Sequence, residues 1–230
     1  MTNTLHRLGS TESLARDFVL LAMATQGVNE KGAAPKLRRM AEIVASHGPA
    51  NIGDEGQGSI FTGVPLERIL AEMRDGSYLG AVFVEADRLV EALAELRAAD
   101  TGMSVVVSAP FQQVFDAAEA AGLKAHTVHM SLGVFGRKEL LPPEWVLEIV
   151  AMCGHGMVCQ KLVQKVARRV AEGQISSRQA GEKLAATCTC GIFNPVRAAE
   201  ILDEQVGRRR GRENRNPAVA AEGVSADADR

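Results

Sequence analysis

The chain has 230 residues, 46% of them hydrophobic and 23% charged, with a formal net charge of −2. This is an ordinary globular composition, and the slight negative charge argues against nucleic acid as the main partner. The first residues lack the apolar core of a signal peptide, and no apolar run approaches the length of a membrane span. We therefore expect a cytosolic protein that acts on a small molecule, with neither nucleic acid nor a membrane as partner, and with homo-oligomer formation possible.

The first fifty residues have the pattern of a helical pair. Ser10 or Thr11 is suited to cap a helix that runs to Ala24. A second helix is predicted from Pro35 to Ser46, because its apolar residues fall on one face.

A polar, glycine-rich stretch begins at Asn51 and extends through the Gly53–Gly63 region. Two interpretations are open: a loop that walls an active site, or a plain surface loop. A phosphate-binding loop is excluded, because Asp54 and Glu55 would repel phosphate.

The middle of the chain alternates strand-like and helix-like segments. Together they predict an α/β fold with a small, mostly parallel sheet built on a βαβαβ core. The predicted strands are Leu79–Val84, Met103–Ser108 and Lys124–Leu132, and helices follow the first two.

The remainder has a helical pattern and predicts a C-terminal helical subdomain. Ser176 and Gln179 form a capping box for one of its helices, and Asn194 is suited to cap the last one. We expect an α/β domain over residues 1–141, a helical, cysteine-bearing subdomain over 142–206 and a disordered tail over 207–230.

The four cysteines all lie in the last third of the chain, three of them at glycine-rich breaks between predicted helices. Cys153 and His155 share one break, and Cys188 and Cys190 share the other. The two intervening helices, about 22 Å and 17 Å long, form a hairpin and should bring the breaks together. Cys159 differs, because it falls on an apolar helix face and is predicted to be a buried core residue.

Two histidines form a weaker candidate. His126 and His129 lie three residues apart on the predicted strand Lys124–Leu132, so they point to opposite faces. A core histidine with satisfied hydrogen bonds is the favoured interpretation for each.

The donor set points to metal or sulfur chemistry. Three thiolates and an imidazole suit a tetrahedral zinc, whereas three thiolates alone suit an iron–sulfur cluster. Helix N-termini follow both breaks, and their partial positive charge favours the cluster.

The leading hypothesis is a cytosolic iron–sulfur enzyme of a lyase, desulfurase-like or redox type. Cys153, Cys188 and Cys190 would bind the cluster, His155 would be a fourth ligand or proton-transfer group, and Arg197 would orient an anionic substrate. One alternative is a zinc-stabilised binding or regulatory protein with all four donors on the metal. Another is a metal-free enzyme with Cys188 or Cys190 as nucleophile and His155 as base.

Overall fold

A computed structural model describes residues 6–215, and side chains through residue 208. Its centre is one antiparallel five-stranded sheet with the strand order β3-β2-β4-β1-β5. The strands are β1 (Phe18–Met23), β2 (Asn51–Asp54), β3 (Gly58–Ser59), β4 (Tyr78–Phe83) and β5 (Val105–Ser108).

Helices surround the sheet, and two short 3₁₀ turns cover Ile60–Thr62 and Lys138–Leu140. The helices are α1 (Thr11–Leu14), α2 (Ala34–Ser46), α3 (Leu66–Ala71), α4 (Ala86–Ala99), α5 (Phe111–Ala120), α6 (Glu144–Val150), α7 (Gln160–Ala171), α8 (Ser177–Ala185) and α9 (Pro195–Arg215).

The sheet separates two hydrophobic cores. In β1, Val19 and Leu21 pack with helices α6–α9, whereas Phe18, Leu20 and Ala22 pack with α2–α5. Successive residues of a strand point to opposite faces, so a strand covered on both sides needs apolar residues at every position. The C-terminal helices therefore share a core with the sheet.

The prediction of a mostly parallel sheet is wrong. Strand β1 lies between β4 and β5 and pairs antiparallel with both. The sequence predicts a helix from Ser10 to Ala24 in this part of the chain. The observed helix α1 is a single turn that ends at Leu14, and β1 follows it. A short apolar run covered on both faces has no alternation to distinguish it from a buried helix.

The predicted third strand, Lys124–Leu132, is also wrong, since these residues lie outside the sheet and are exposed. Helix α2 and the capping box at Ser176 are confirmed. Helix α9 continues to Arg215, within the stretch that the sequence predicts to be disordered, and residues 216–230 lie outside the described part. The division into domains stays a prediction.

Candidate functional site

A pair of glycines in the sheet makes room for the second cysteine loop. Gly53 of β2 and Gly80 of β4 are register partners. A Cβ atom on Gly53 would lie 2.8 Å from the carbonyl oxygen of Thr189, and one on Gly80 would overlap the carbonyl of Cys190. Gly191 has a left-handed φ of 78° and packs against the Gly53 backbone. The loop backbone therefore lies directly on the backbone of the sheet.

Side chains from elsewhere in the fold satisfy the loop's carbonyl groups. The Ser59 hydroxyl donates to the carbonyl of Cys188 at 2.9 Å, and the Asn51 amide donates to that of Phe193 at 3.0 Å. The Arg7 guanidinium donates to the carbonyl of Ile192. Buried backbone acceptors need such partners, and these bonds fix the loop without regular secondary structure.

Arg7 also joins the two cysteine loops. Besides Ile192, it donates at 3.2 Å to the carbonyl of Met152, the residue before Cys153. Its guanidinium is held by the buried carboxylate of Asp17 at 2.5 Å, which also accepts from Arg197 at 2.8 Å. One buried carboxylate thus orients two buried guanidinium groups beside the site.

The sequence prediction that the cysteine breaks converge is confirmed. Cys153, Cys188 and Cys190 are all buried. The sulfur atoms of Cys188 and Cys190 lie 3.7 Å apart, and Cys153 is near enough to Cys188 for each to shift the pKa of the other. The Cys190 sulfur lies 3.6 Å from Nδ1 of His155. The α7–α8 hairpin returns the chain to its starting point and so assembles all four donors.

The three thiols differ in acidity. The bond with Cys188 lowers the pKa of Cys190 more than burial raises it. Cys188 gains acidity from its bond with Cys153, but its bond with Cys190 and its burial outweigh this and raise its pKa to about 11. The bond with Cys188, followed by burial, raises the pKa of Cys153. Cys190 is therefore the most acidic of the three thiols.

Backbone N–H groups surround these sulfurs. Hydrogen bonding from the backbone of Val158 and Met157 acts to lower the pKa of Cys153, that from Phe193 acts to lower the pKa of Cys188, and that from Ile192 acts to lower the pKa of Cys190. Such bonds favour thiolate over thiol.

The glycine-rich stretch after Asn51 supplies a carboxylate. It forms a tight turn between β2 and β3, in which Asp54 accepts hydrogen bonds from the backbone of Gly56 and the side chain of Gln57. The turn places an oxygen of Glu55 3.6 Å from Nε2 of His155. The imidazole thus lies between a carboxylate and the Cys190 sulfur.

Tyr78 is a further polar group beside the thiols. Its hydroxyl is buried and has no hydrogen-bond partner among the described residues. Burial, followed by the negative charges of Cys190 and Glu55, raises the pKa of this phenol. The hydroxyl therefore remains protonated.

Arg197 lies in a different environment from the one the sequence suggested. Its side chain is fully buried and contacts Asp17, Ser13 and the carbonyl of Leu8. A carboxylate oxygen of Glu148 lies 3.7 Å away. These contacts tie the N-terminal segment to α9.

The expectations for Cys159 and the two histidines are wrong. Cys159 is exposed and immediately precedes α7, which begins at Gln160. His126 and His129 are exposed in an irregular segment instead of alternating across a strand.

Sequence reasoning missed Tyr78, Arg7 and Asp17. Tyr78 begins a strand that the sequence predicts, but its position beside the cysteines depends on which strand lies next to which. Arg7 and Asp17 are separated from the cysteine loops by well over a hundred residues, and the sequence has no local signal for such contacts. The sequence placed Glu55 in a polar loop but did not predict its contact with His155.

Known proteins provide no identification: no family model matches the chain, and no curated protein or solved structure matches it. Within residues 6–215, no group of three or more His, Cys, Asp or Glu side chains is positioned to hold a metal ion in the present side-chain arrangement. None of the helices described there is long and apolar enough to cross a membrane.

Proposed function

We propose that this chain is a metal-stabilised binding or regulatory protein, with one tetrahedral ion bound by Cys153, His155, Cys188 and Cys190. The observation that carries the proposal is the spacing of the donors. With zinc–sulfur and zinc–nitrogen bonds of about 2.3 and 2.05 Å, a tetrahedral ion separates two sulfurs by about 3.8 Å and a sulfur from a nitrogen by about 3.6 Å. The corresponding separations here are 3.7 Å and 3.6 Å.

The groups around the donors support the same proposal. Metal-bound histidines commonly donate their second ring N–H to a carboxylate, and Glu55 stands at that ring nitrogen of His155.

Ligation requires a change in side-chain rotamer, since the four donors do not yet surround a common point. Cys153 is the candidate for this movement, because the close contacts already join the other three donors, Cys188, Cys190 and His155. Rotation about χ1 moves a thiol between staggered positions without moving the backbone.

The spacing favours a single ion over the iron–sulfur cluster that the sequence suggested. Cysteine sulfurs bound to different irons of a cubane cluster point away from each other and lie farther apart than 3.7 Å. Four protein donors also fill a tetrahedral ion's coordination sphere, which is typical of structural zinc and not of catalytic zinc. The iron–sulfur enzyme and the cytosolic location stay predictions.

Elemental analysis of anaerobically purified protein tests the proposal. We expect colourless protein with one zinc per chain, and tetrahedral thiolate absorption bands after substitution by cobalt. Cys188→Ser and Cys190→Ser should abolish binding, whereas the exposed Cys159→Ser is a matched control that retains it. Glu55→Gln should weaken zinc binding about 10- to 100-fold.

Two results would overturn the single-ion proposal. Brown protein that contains iron and sulfide would indicate the cluster. Folded protein that binds neither zinc nor cobalt would exclude the site.

A second candidate is thiol chemistry, which the alignment of Cys190, His155 and Glu55 favours. In this arrangement Cys190 would be the nucleophile, His155 its general base and Glu55 the group that orients the base. It ranks second because Cys190 is fully buried. Stoichiometric alkylation of Cys190 in metal-free, folded protein, with loss of this reactivity in His155→Ala, would support it. Equal alkylation rates in both proteins would count against it.

A further inference from the structure

One edge of the sheet is open among the described residues. Strand β5 pairs with β1 on one side and has no strand on the other. Its Val105, Val106 and Val107 are only half-buried, whereas β4 is buried along its whole length. A row of half-buried β-branched residues at the edge of a sheet is a template for another strand.

The opposite edge differs. Strand β3 consists only of Gly58 and Ser59 and leads directly into the turn Ile60–Thr62, so it is too short to template pairing. Strand β5 has neither the lysine nor the proline that usually protects an exposed edge.

A segment with the pattern of a strand lies elsewhere on the same chain. All nineteen residues from 122 to 140 are exposed, and we call this stretch the exposed segment. Within it, apolar residues alternate with small or polar ones, which gives one apolar face in an extended conformation. The apolar residues are Val128, Met130, Leu132 and Val134, exposed by 50%, 61%, 80% and 38%.

The charges of the two surfaces are complementary. The exposed segment has Lys124, Arg137 and Lys138 and its first acidic residue only at position 139. Helix α5, which directly follows β5, has Asp116 and Glu119 and no basic residue. Helix α5 also presents Phe111 and Phe115, which stack with a centroid distance of 6.2 Å and are 44% and 40% exposed.

The exposed segment does not pair with the β5 edge of its own chain. It leaves α5 through Gly122 and runs past the N-terminal region, where the Ser131 hydroxyl lies 3.1 Å from Nδ1 of His6. Its apolar face is therefore not covered by its own fold. The β5 edge of a second copy of this chain could cover it.

We propose that the chain forms a dimer in which the apolar face of the exposed segment, Val128–Val134, adds as a strand to β5 of a second copy. If each copy adds its exposed segment to β5 of the other, the two copies form a closed dimer with two-fold symmetry. The exposed segment together with β5 and α5 supplies more than the roughly 20–30 residues a side of a standard interface. Strand addition uses backbone hydrogen bonds for affinity and alternate side chains for specificity.

Sedimentation velocity of the full chain over a range of concentrations tests the proposal, and a dimer is expected. Leu132→Asp places a charge on the apolar face and should weaken association by about tenfold or more. His129→Asp introduces the same charge on the opposite face and should leave the dimer intact. Amides of residues 105–107 and 128–134 should exchange slowly in the dimer and faster in Leu132→Asp.

Three results would overturn it. The first is a chain that stays monomeric at every concentration, and slow exchange of residues 128–134 in that monomer would show pairing within one chain. The second is a dimer in which these amides exchange rapidly, because its interface would lie elsewhere. The third is a dimer that Leu132→Asp and His129→Asp affect equally.

Discussion

The second cysteine loop and residues 122–137 of the exposed segment both lack regular secondary structure, yet their environments are opposite. Between Cys188 and Asn194, the loop lies on the sheet and its carbonyl groups receive side-chain donors. Residues 122–140 are exposed throughout. Irregular backbone is therefore fixed where distant groups satisfy it and where glycines allow it to approach the sheet. Composition alone does not separate the two regions.

The largest loss of stability is expected for Asp17→Asn, which would test what anchors the cysteine loop. This change leaves the Arg7 and Arg197 guanidinium groups without their buried carboxylate, at a cost toward the upper end of about 3–5 kcal/mol in the free energy of unfolding. Urea denaturation at neutral pH measures it. Glu200→Gln is the control, because it breaks the exposed pair with Arg16 and should cost less than about 1 kcal/mol. Equal losses would show that burial of the carboxylate is unimportant.

Two phenylalanines allow a direct comparison of the regions. Phe193 in the cysteine loop is fully buried, whereas Phe135 in the exposed segment is 77% exposed. Phe193→Ala should cost about 4 kcal/mol in unfolding free energy because it leaves a cavity. Phe135→Ala should cost less than about 0.5 kcal/mol in dilute solution. Similar values from thermal and urea denaturation would contradict the contrast.

Gly80→Ala tests the close approach of loop and sheet. The added methyl group would overlap the carbonyl of Cys190, so either the loop or β4 must shift. We expect a loss of about 1–3 kcal/mol in unfolding free energy and weaker metal binding by cobalt titration. Gly76→Ala is the matched control, because no atom lies within 4 Å of the added group. Unchanged stability and cobalt affinity in Gly80→Ala would show that the loop does not rest on this strand.

Asp54→Asn should have a smaller, pH-dependent effect. Burial raises the pKa of Asp54, but hydrogen bonds led by that from Ser77 outweigh it, so the folded-state pKa lies below the ordinary value of 3.8. The carboxylate therefore stabilises the fold above that value, and the stabilisation is lost as pH falls through the lower, folded pKa. We expect a loss of about 2 kcal/mol in unfolding free energy at neutral pH. Denaturation from pH 7 to 2 should show the two proteins converging in acid, and a constant difference would contradict this origin.

The sequence predicted the parts of the molecule that depend on local spacing. Helix α2 follows from its apolar face, and the meeting of Cys153 with Cys188 follows from the length of a helical hairpin. Strand direction could not be predicted in this way, because β1 obtains its partners from residues far along the chain. For the same reason, the ties from Arg7 and Asp17 to the cysteine loops were not visible.

The reach of Arg7 has a consequence for folding. This residue joins the carbonyl groups of Met152 and Ile192, which lie 145 and 185 positions away in sequence. Contacts of such high sequence separation form slowly, because the loop-closure entropy must be overcome before the contact stabilises the chain. During synthesis, Arg7 cannot form both hydrogen bonds until the chain has been made as far as Ile192. The thiol cluster is therefore among the last parts of the molecule to be completed, and a nascent chain leaves its cysteines unshielded until then.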